Sequence, residues 1–128
     1  GLWRSYIIMA VHARQWDRVA AAIDRASAAL GDQSFITANR AVMLSETGDA
    51  ARADTAFAAL AGQEDTPFAA HRLRHELRFG RPDRAARLGE AWRDRPDNFL
   101  IWPYLSLAWR LTDDPRWAWL EGDDRLTR

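Results

Sequence analysis

Apolar and polar positions along this chain follow a helical rather than a strand-like pattern. Alanine, leucine and arginine, which favour helices, dominate, and no stretch alternates β-branched and polar residues in the way a strand would. Glycine- and proline-containing breaks interrupt the pattern at regular intervals. The pattern predicts eight helices, at Leu2–Ala13, Asp17–Leu30, Phe35–Thr47, Ala50–Ala61, Pro67–Phe79, Pro82–Asp94, Phe99–Leu111 and Pro115–Glu121. Thr66, Asp97 and Asp114 are the expected N-caps. The loops are short, so successive helices are expected to pack antiparallel.

The helices also repeat along the chain. Val19, Ala53, Ala85 and Ala118 are small apolar residues near the start of every second helix, and 34, 32 and 33 residues separate them. The turns before them keep the same phase, at Arg14-Gln15, Gly48-Asp49, Gly80-Arg81 and Asp113-Asp114. A period near 34 with two helices in each unit is typical of a tetratricopeptide array.

Individual residues resemble the tetratricopeptide family as well. The last unit has the family's order of a Trp, a Leu, a small residue and an aromatic, in Trp102, Leu105, Ser106 and Trp109. The second unit matches at Ala41, Leu44, Gly48-Asp49, Ala53 and Phe57. The chain departs from the pattern at Ile7, where a small residue is expected, and at Gly89, which replaces an aromatic.

This resemblance implies an all-α fold: an α-solenoid of about four antiparallel helix pairs that forms a right-handed superhelix, with residues 1–128 as one repeat domain. It implies a non-catalytic module that binds a protein, a peptide or an adjoining domain. The chain opens at Gly1 rather than Met, so we expect it to come from a longer protein.

A second resemblance lies in residues 109–120, from Trp109 to Leu120. This stretch is similar to the segment that closes a helical repeat region before the 2-oxoglutarate- and Fe(II)-dependent oxygenase domain of certain bacterial proteins. Such a domain binds iron through a His-x-Asp/Glu motif, which none of His12, His71 and His75 forms. The alternative function is therefore an accessory region of an oxygenase whose iron site lies outside this chain.

Composition narrows the range of partners. The 128 residues have zero formal net charge, which gives no reason to expect nucleic acid or an anionic membrane. There is no cysteine, and the apolar runs are too short to cross a bilayer. All 18 basic residues other than histidine are arginine and alanine is abundant, which is typical of a GC-rich bacterial genome. We expect a cytoplasmic bacterial protein.

A metal site is the main catalytic alternative. His71 and His75 are four residues apart, a spacing at which two imidazoles can bind one metal. Arginines crowd the same helix and Glu76 is expected to point elsewhere, so a solvated polar helix face is the preferred interpretation. The sequence shows no phosphate-binding loop or catalytic triad. No catalytic, cofactor-binding or metal-binding residue is therefore predicted.

Two surfaces are predicted to bind partners. The repeat phase predicts that the concave face is lined by Arg4, Ile8, Val42, Arg74, Leu77, Arg78, Leu107 and Arg110. Such a face suits a peptide or domain with carboxylates at its edge, although its arginines have an alternative interpretation as ordinary solvated surface. The C-terminal aromatic end, at Trp117, Trp119 and Leu120, is predicted to dock a further domain. Exposed apolar ends also predict self-association, most simply as a symmetric homodimer.

Overall fold

The structure, a computed structural model, describes residues 2–118. All regular secondary structure in this range is helical, so the predicted all-α class is confirmed. The helices are α1 (Leu2–His12), α2 (Trp16–Leu30), α3 (Ser34–Glu46), α4 (Ala50–Ala58), α5 (Thr66–Arg78), α6 (Pro82–Glu90) and α7 (Trp102–Leu111). A short 3₁₀ helix, Asn98–Leu100, precedes α7, and residues 116–118 are again helical.

The predicted start of the seventh helix at Phe99 is wrong, because α7 begins at Trp102. Proline at position 103 explains the difference. A proline ring clashes with the carbonyl four residues earlier in a helix, so Pro103 is tolerated only in the first turn. The chain therefore uses a 3₁₀ helix at Asn98–Leu100 and starts the α-helix just before the proline.

Two helices end earlier than predicted. After Ala58 and after Glu90 the backbone tightens into turns that contain hydrogen bonds from an N–H to the carbonyl three residues back. Leu60 bonds Phe57 in this way at 3.1 Å, and Trp92 bonds Gly89 at 3.0 Å. Such tightening is common at helix ends. The predicted cap Thr66 is also wrong. Asp65 accepts the hydrogen bond from the Phe68 backbone N–H at 2.9 Å.

The chain falls into two compact units, Gly1–Glu64 and Asp65–Arg128. In the first unit, α1 packs against both α2 and α3, and α3 packs against α2 and α4. The core between the first three helices is aliphatic and consists of Ile7, Ala10, Val19, Ala22, Ile23, Ala26 and Ile36. Trp3 and Trp16 pack at its rim.

In the second unit, α5, α6 and α7 contact one another. Its core combines small residues with large ones and consists of Ala69, Ala70, Leu73, Ala85, Ile101, Leu105, Ala108 and Trp109. Trp92, Trp102 and Trp117 pack around this core and are partly buried. A single repeat domain spanning both units stays a prediction.

The turn inside each predicted helix pair has the same backbone geometry. Arg14, Gly48, Gly80 and Asp113 all have positive φ, between 56° and 93°. The residue after each donates its N–H to the carbonyl five residues back: Gln15 to Ala10, Asp49 to Leu44, Arg81 to Glu76 and Asp114 to Trp109, at 2.8 to 3.0 Å. This is the Schellman bond that ends a helix and reverses the chain. The four turns are 34, 32 and 33 residues apart, which is the period predicted from the sequence.

Candidate functional site: a groove between α1 and α2

The first two helices enclose an open groove of about 540 Å³ on the surface of the first unit. Seven residues line it: Leu2, Trp3 and Tyr6 of α1, and Arg18, Ala21, Ala22 and Arg25 of α2. We call these seven residues the α1–α2 groove. Apart from the Tyr6 hydroxyl, the Trp3 indole N–H and the two guanidinium groups, the lining is apolar.

Helical spacing explains how the groove forms. Leu2 and Tyr6 are four residues apart, so their side chains lie above one another on one face of α1. Arg18 and Arg25 are seven apart, or two turns, and lie along one face of α2 about 10.5 Å apart. The alanines between them are too small to fill the space beside α1. The groove is thus an alanine floor between two aromatic side chains and two arginines.

The groove exposes large apolar side chains to water, which is energetically unfavourable. Leu2 is 91% exposed and Tyr6 is 47% exposed, and Met9, one turn further along α1, is 71% exposed. These three residues form a continuous stripe at i, i+4 and i+7 on α1. An apolar stripe with a polar rim is a common feature of protein-binding surfaces.

The two groove arginines have no ion pair with any described residue. Arg18 and Arg25 are both exposed, and no carboxylate of residues 2–118 lies within ion-pairing distance of either. In contrast, Arg14 on the preceding turn pairs with Glu46 at 3.3 Å and stacks over Trp16 at 5.5 Å. The groove therefore presents two positive charges beside apolar surface, an arrangement that fits an apolar segment carrying carboxylates.

None of the seven lining residues is a carboxylate, an imidazole or a thiol. The polar groups that the lining offers to a partner are hydrogen-bond donors, from the two guanidinium groups, the Tyr6 hydroxyl and the Trp3 indole N–H.

The predicted concave-face residues are distributed over both units. Arg4, Ile8, Arg78, Leu107 and Arg110 are exposed, Arg74 and Leu77 are half-buried, and Val42 is only 6% exposed. Val42 therefore contributes to packing rather than to an exposed surface, and Leu77 packs against the core of the second unit. As a binding face, the set stays a prediction.

At the predicted docking end, Trp117 is half-buried against the core of the second unit, with the Arg110 guanidinium over its ring at 4.4 Å. Trp119 and Leu120 lie outside the described residues. Arg116 stacks over Trp109 at 4.4 Å and binds Asp114, with Nη2 to Oδ2 at 2.7 Å. This hydrogen bonding holds the pKa of the Asp114 carboxyl below its usual range, and the same bond raises the pKa of Arg116.

The expectation of a solvated polar face at His71 and His75 is wrong for His75. His71 is exposed, but His75 is fully buried, and its ring packs edge-on to Phe79 with centroids 5.0 Å apart. The His75 Nε2 lies 3.2 Å from the Arg81 guanidinium, and a guanidinium can only donate, so Nε2 is the acceptor of this hydrogen bond.

Glu76 is buried as well, at 2% exposure. Its Oε2 lies 3.0 Å from Nε of Arg81 and 3.5 Å from Nε of Arg84. A buried carboxylate persists only when it is paired, and here Arg81 comes from the residue just before α6 and Arg84 from the first turn of that helix. The cluster thus holds α5 and α6 together.

The α1–α2 groove was not predicted from the sequence, because the binding face was projected from the first helix of each pair alone. A pattern that points to the groove was present: two arginines seven residues apart on α2, with alanines between them, opposite Leu2 and Tyr6 on α1.

Comparisons with known proteins do not place this chain in a family. No protein-family model, no curated protein and no solved structure matches the chain. None of the helices in residues 2–118 is long and apolar enough to cross a membrane. The resemblance of the C-terminal stretch to an oxygenase-associated region stays a prediction.

Proposed function

We propose that this chain is a tetratricopeptide-like helical repeat module of four antiparallel helix pairs that binds a protein segment and has no catalytic activity of its own. The partner is another protein, a peptide or an adjoining domain of the same polypeptide. The observation that carries the binding role is the α1–α2 groove, with its exposed apolar lining and two arginines that no described carboxylate neutralises.

Two features support the repeat part of the proposal. The four turns with positive φ recur at 34, 32 and 33 residues with the same hydrogen bond. Val19, Ala53 and Ala85, which occupy the same phase, are all fully buried. Small buried residues at such positions let helices approach closely, which is what stacking of helix pairs needs.

A third feature is the pattern of helix contacts inside each unit. In the first unit α1 contacts its own partner α2 and also α3, the first helix of the next pair. In the second unit α5 contacts α6 and also α7 in the same way. In a stacked array of helix pairs, each pair buries its apolar face against the next pair.

The binding role is tested by selecting ligands from a phage-displayed library of random peptides with the full chain as bait. We expect enriched peptides to combine one or two large apolar residues with nearby Asp or Glu, because the groove offers apolar surface beside two guanidinium groups. The affinity of each enriched peptide is then measured by fluorescence anisotropy.

Two variants and one control complete the test. The double variant Arg18→Glu/Arg25→Glu reverses the charge of the groove, and Tyr6→Ala removes an aromatic wall. Arg87→Glu, at an exposed position on α6, makes the same kind of charge change outside the groove. Each groove variant should weaken peptide binding by about tenfold or more while Arg87→Glu leaves it unchanged. Peptides that bind both groove variants as tightly as the original chain would contradict the proposal.

A further inference from the structure

The chain carries a segment whose chemistry complements the α1–α2 groove. Residues 119–124, which lie outside the described residues, read Trp119, Leu120, Glu121, Gly122, Asp123 and Asp124. Two large apolar side chains are thus followed within four residues by three carboxylates. The groove presents the opposite arrangement, an apolar surface beside two arginines without an ion partner among the described residues.

We propose that the α1–α2 groove of one copy of this chain binds residues 119–124 of a second copy. Trp119 and Leu120 cover the apolar surface formed by Trp3, Tyr6 and the alanines of α2. The carboxylates of the same segment pair with Arg18 and Arg25. This inference rests on the proposed function, since it assigns an occupant to the groove proposed there as the binding surface.

Charge opposes a contact in which the groove of one copy faces the groove of another. A two-fold contact between two α1–α2 grooves would bring the arginines of both copies together, and like charges at an interface oppose association. Pairing the groove with an acidic segment elsewhere on the chain joins two different surfaces. Such a contact either closes reciprocally between two copies, with the segment of each in the groove of the other, or repeats from copy to copy into rings or open chains.

The apolar surface gives a second reason for an occupant. Leu2, Tyr6 and Met9 expose a stripe along α1, and the alanine floor beside it leaves room for a large side chain. An indole ring is the largest side chain available, and tryptophan is enriched among residues that dominate binding energy. Trp119 supplies that ring next to a second apolar residue.

The test measures the mass of the full chain by sedimentation and light scattering from micromolar to millimolar concentration. We expect the weight-average mass to rise with concentration to that of a dimer or a larger assembly, and to fall again at high salt because the arginine–carboxylate pairs are screened. A mass that stays at that of the monomer throughout overturns the inference.

Charge reversal on either side of the contact provides matched variants. Arg18→Glu/Arg25→Glu alters the groove, and Glu121→Arg/Asp123→Arg/Asp124→Arg alters the segment. Each should weaken self-association by about a hundredfold or more, since like charges then face one another. Arg87→Glu, exposed on α6, should associate like the original chain. Far-ultraviolet circular dichroism verifies that each variant keeps its helix content. Self-association that survives both reversals overturns the inference.

Mixing the two reversed variants is the most specific experiment. Neither associates alone, but the segment-reversed chain keeps an intact groove and the groove-reversed chain keeps an intact segment. In the mixture the reversed groove also meets the reversed segment, so opposite charges face one another at both contacts. An equimolar mixture should therefore recover the self-association that each variant lacks alone. A mixture in which both variants remain monomeric overturns the contact between the groove and the segment.

The outcome separates this inference from the proposed function. If the chain does not associate while selected peptides still bind in a groove-dependent way, the second copy is not the occupant and the groove keeps its binding role. If the groove variants change neither self-association nor peptide binding, both proposals fail.

Discussion

The α1–α2–α3 core and the α5–α6–α7 core use the same backbone plan but fill it differently. In each, three helices contact one another, and the first two are joined by a turn with positive φ and a Schellman hydrogen bond. The difference lies at one repeat position of the second helix, where the first core has Ile23 and the second has Gly89. Both residues are buried.

Neighbouring helices make up for the missing side chain at Gly89. A Cβ placed there would lie 2.8 Å from Cδ1 of Leu105 and 3.1 Å from Cδ2 of Leu73. Leu105 and Leu73, from α7 and α5, are buried and already occupy the space that Ile23 fills from its own helix in the first core. The turns therefore set the path of the backbone in both cores. The side chains that fill the interior differ between the two.

The largest effect should come from removing volume in the first core. Ile23→Ala should lower the free energy of unfolding by about 3 kcal/mol, because a fully buried isoleucine leaves a cavity that surrounding side chains fill only in part. Urea denaturation monitored by circular dichroism measures this. Asp24→Ala, at the exposed next position, is the control and should change stability by less than about 0.5 kcal/mol. Equal effects at the two positions would contradict the packing described for the first core.

The reciprocal change adds volume in the second core. Gly89→Ile should lower stability by about 2 kcal/mol, since the new side chain overlaps Leu105 and Leu73 and overpacking outweighs the better helix propensity. Arg87→Ile, exposed two residues earlier on α6, should be nearly neutral. A stabilised Gly89→Ile chain would show that the second core contains unfilled space, and the contrast between the cores would then disappear.

A smaller effect should distinguish the four turns. Gly48 and Gly80 have positive φ, and a Cβ added at either would meet no atom within 4 Å. Gly48→Ala and Gly80→Ala should therefore each cost about 1 kcal/mol through backbone strain alone. Asp113 already bears that strain, so Asp113→Gly should stabilise by about 0.5 kcal/mol. Thermal melts of the three variants measure the expected loss of stability in the two alanine variants and the expected gain in Asp113→Gly. Alanine variants as stable as the original chain would show that these turns do not set the backbone.

The smallest effect concerns the last turn of the second unit. Arg116 lowers the pKa of the Asp114 carboxyl, so Arg116→Gln should return that pKa towards its ordinary value of 3.8. The stabilising contribution of a carboxyl with a lowered pKa is present above its unfolded-state pKa and is lost as pH falls through the lower, folded-state value. Titration followed by carboxyl ¹³C NMR measures the change, and Arg87→Gln is the control. An Asp114 pKa that is the same in both variants would mean that Arg116 does not hold the carboxylate.

Much of the fold was predictable from local sequence. Gly48 and Gly80 mark two of the turns, and the period near 34 extended the assignment to Arg14 and Asp113, whose side chains alone do not indicate positive φ. The late start of α7 was predictable too, because Pro103 cannot lie in a helix that begins at Phe99. The helix was predicted to start at Phe99 from the helix-favouring residues alone, without the limit that Pro103 sets.

The burial of His75 and Glu76 was not predictable from their own helix. Both face arginines that α6 supplies, and a polar residue surrounded by arginines in sequence is usually solvated. The α1–α2 groove was missed for a related reason. A groove depends on two helices together, and periodicity describes one helix at a time.

The measurement that tests the binding surface most directly is NMR of the ¹⁵N-labelled chain titrated with an apolar–acidic peptide from the display selection. We predict that the amide shifts of α1 and α2 change most, with Tyr6, Arg18, Ala21 and Arg25 among them. Shift changes centred instead on Arg78, Leu107 and Arg110, or changes spread evenly over all helices, would contradict the assignment of the groove as the binding site.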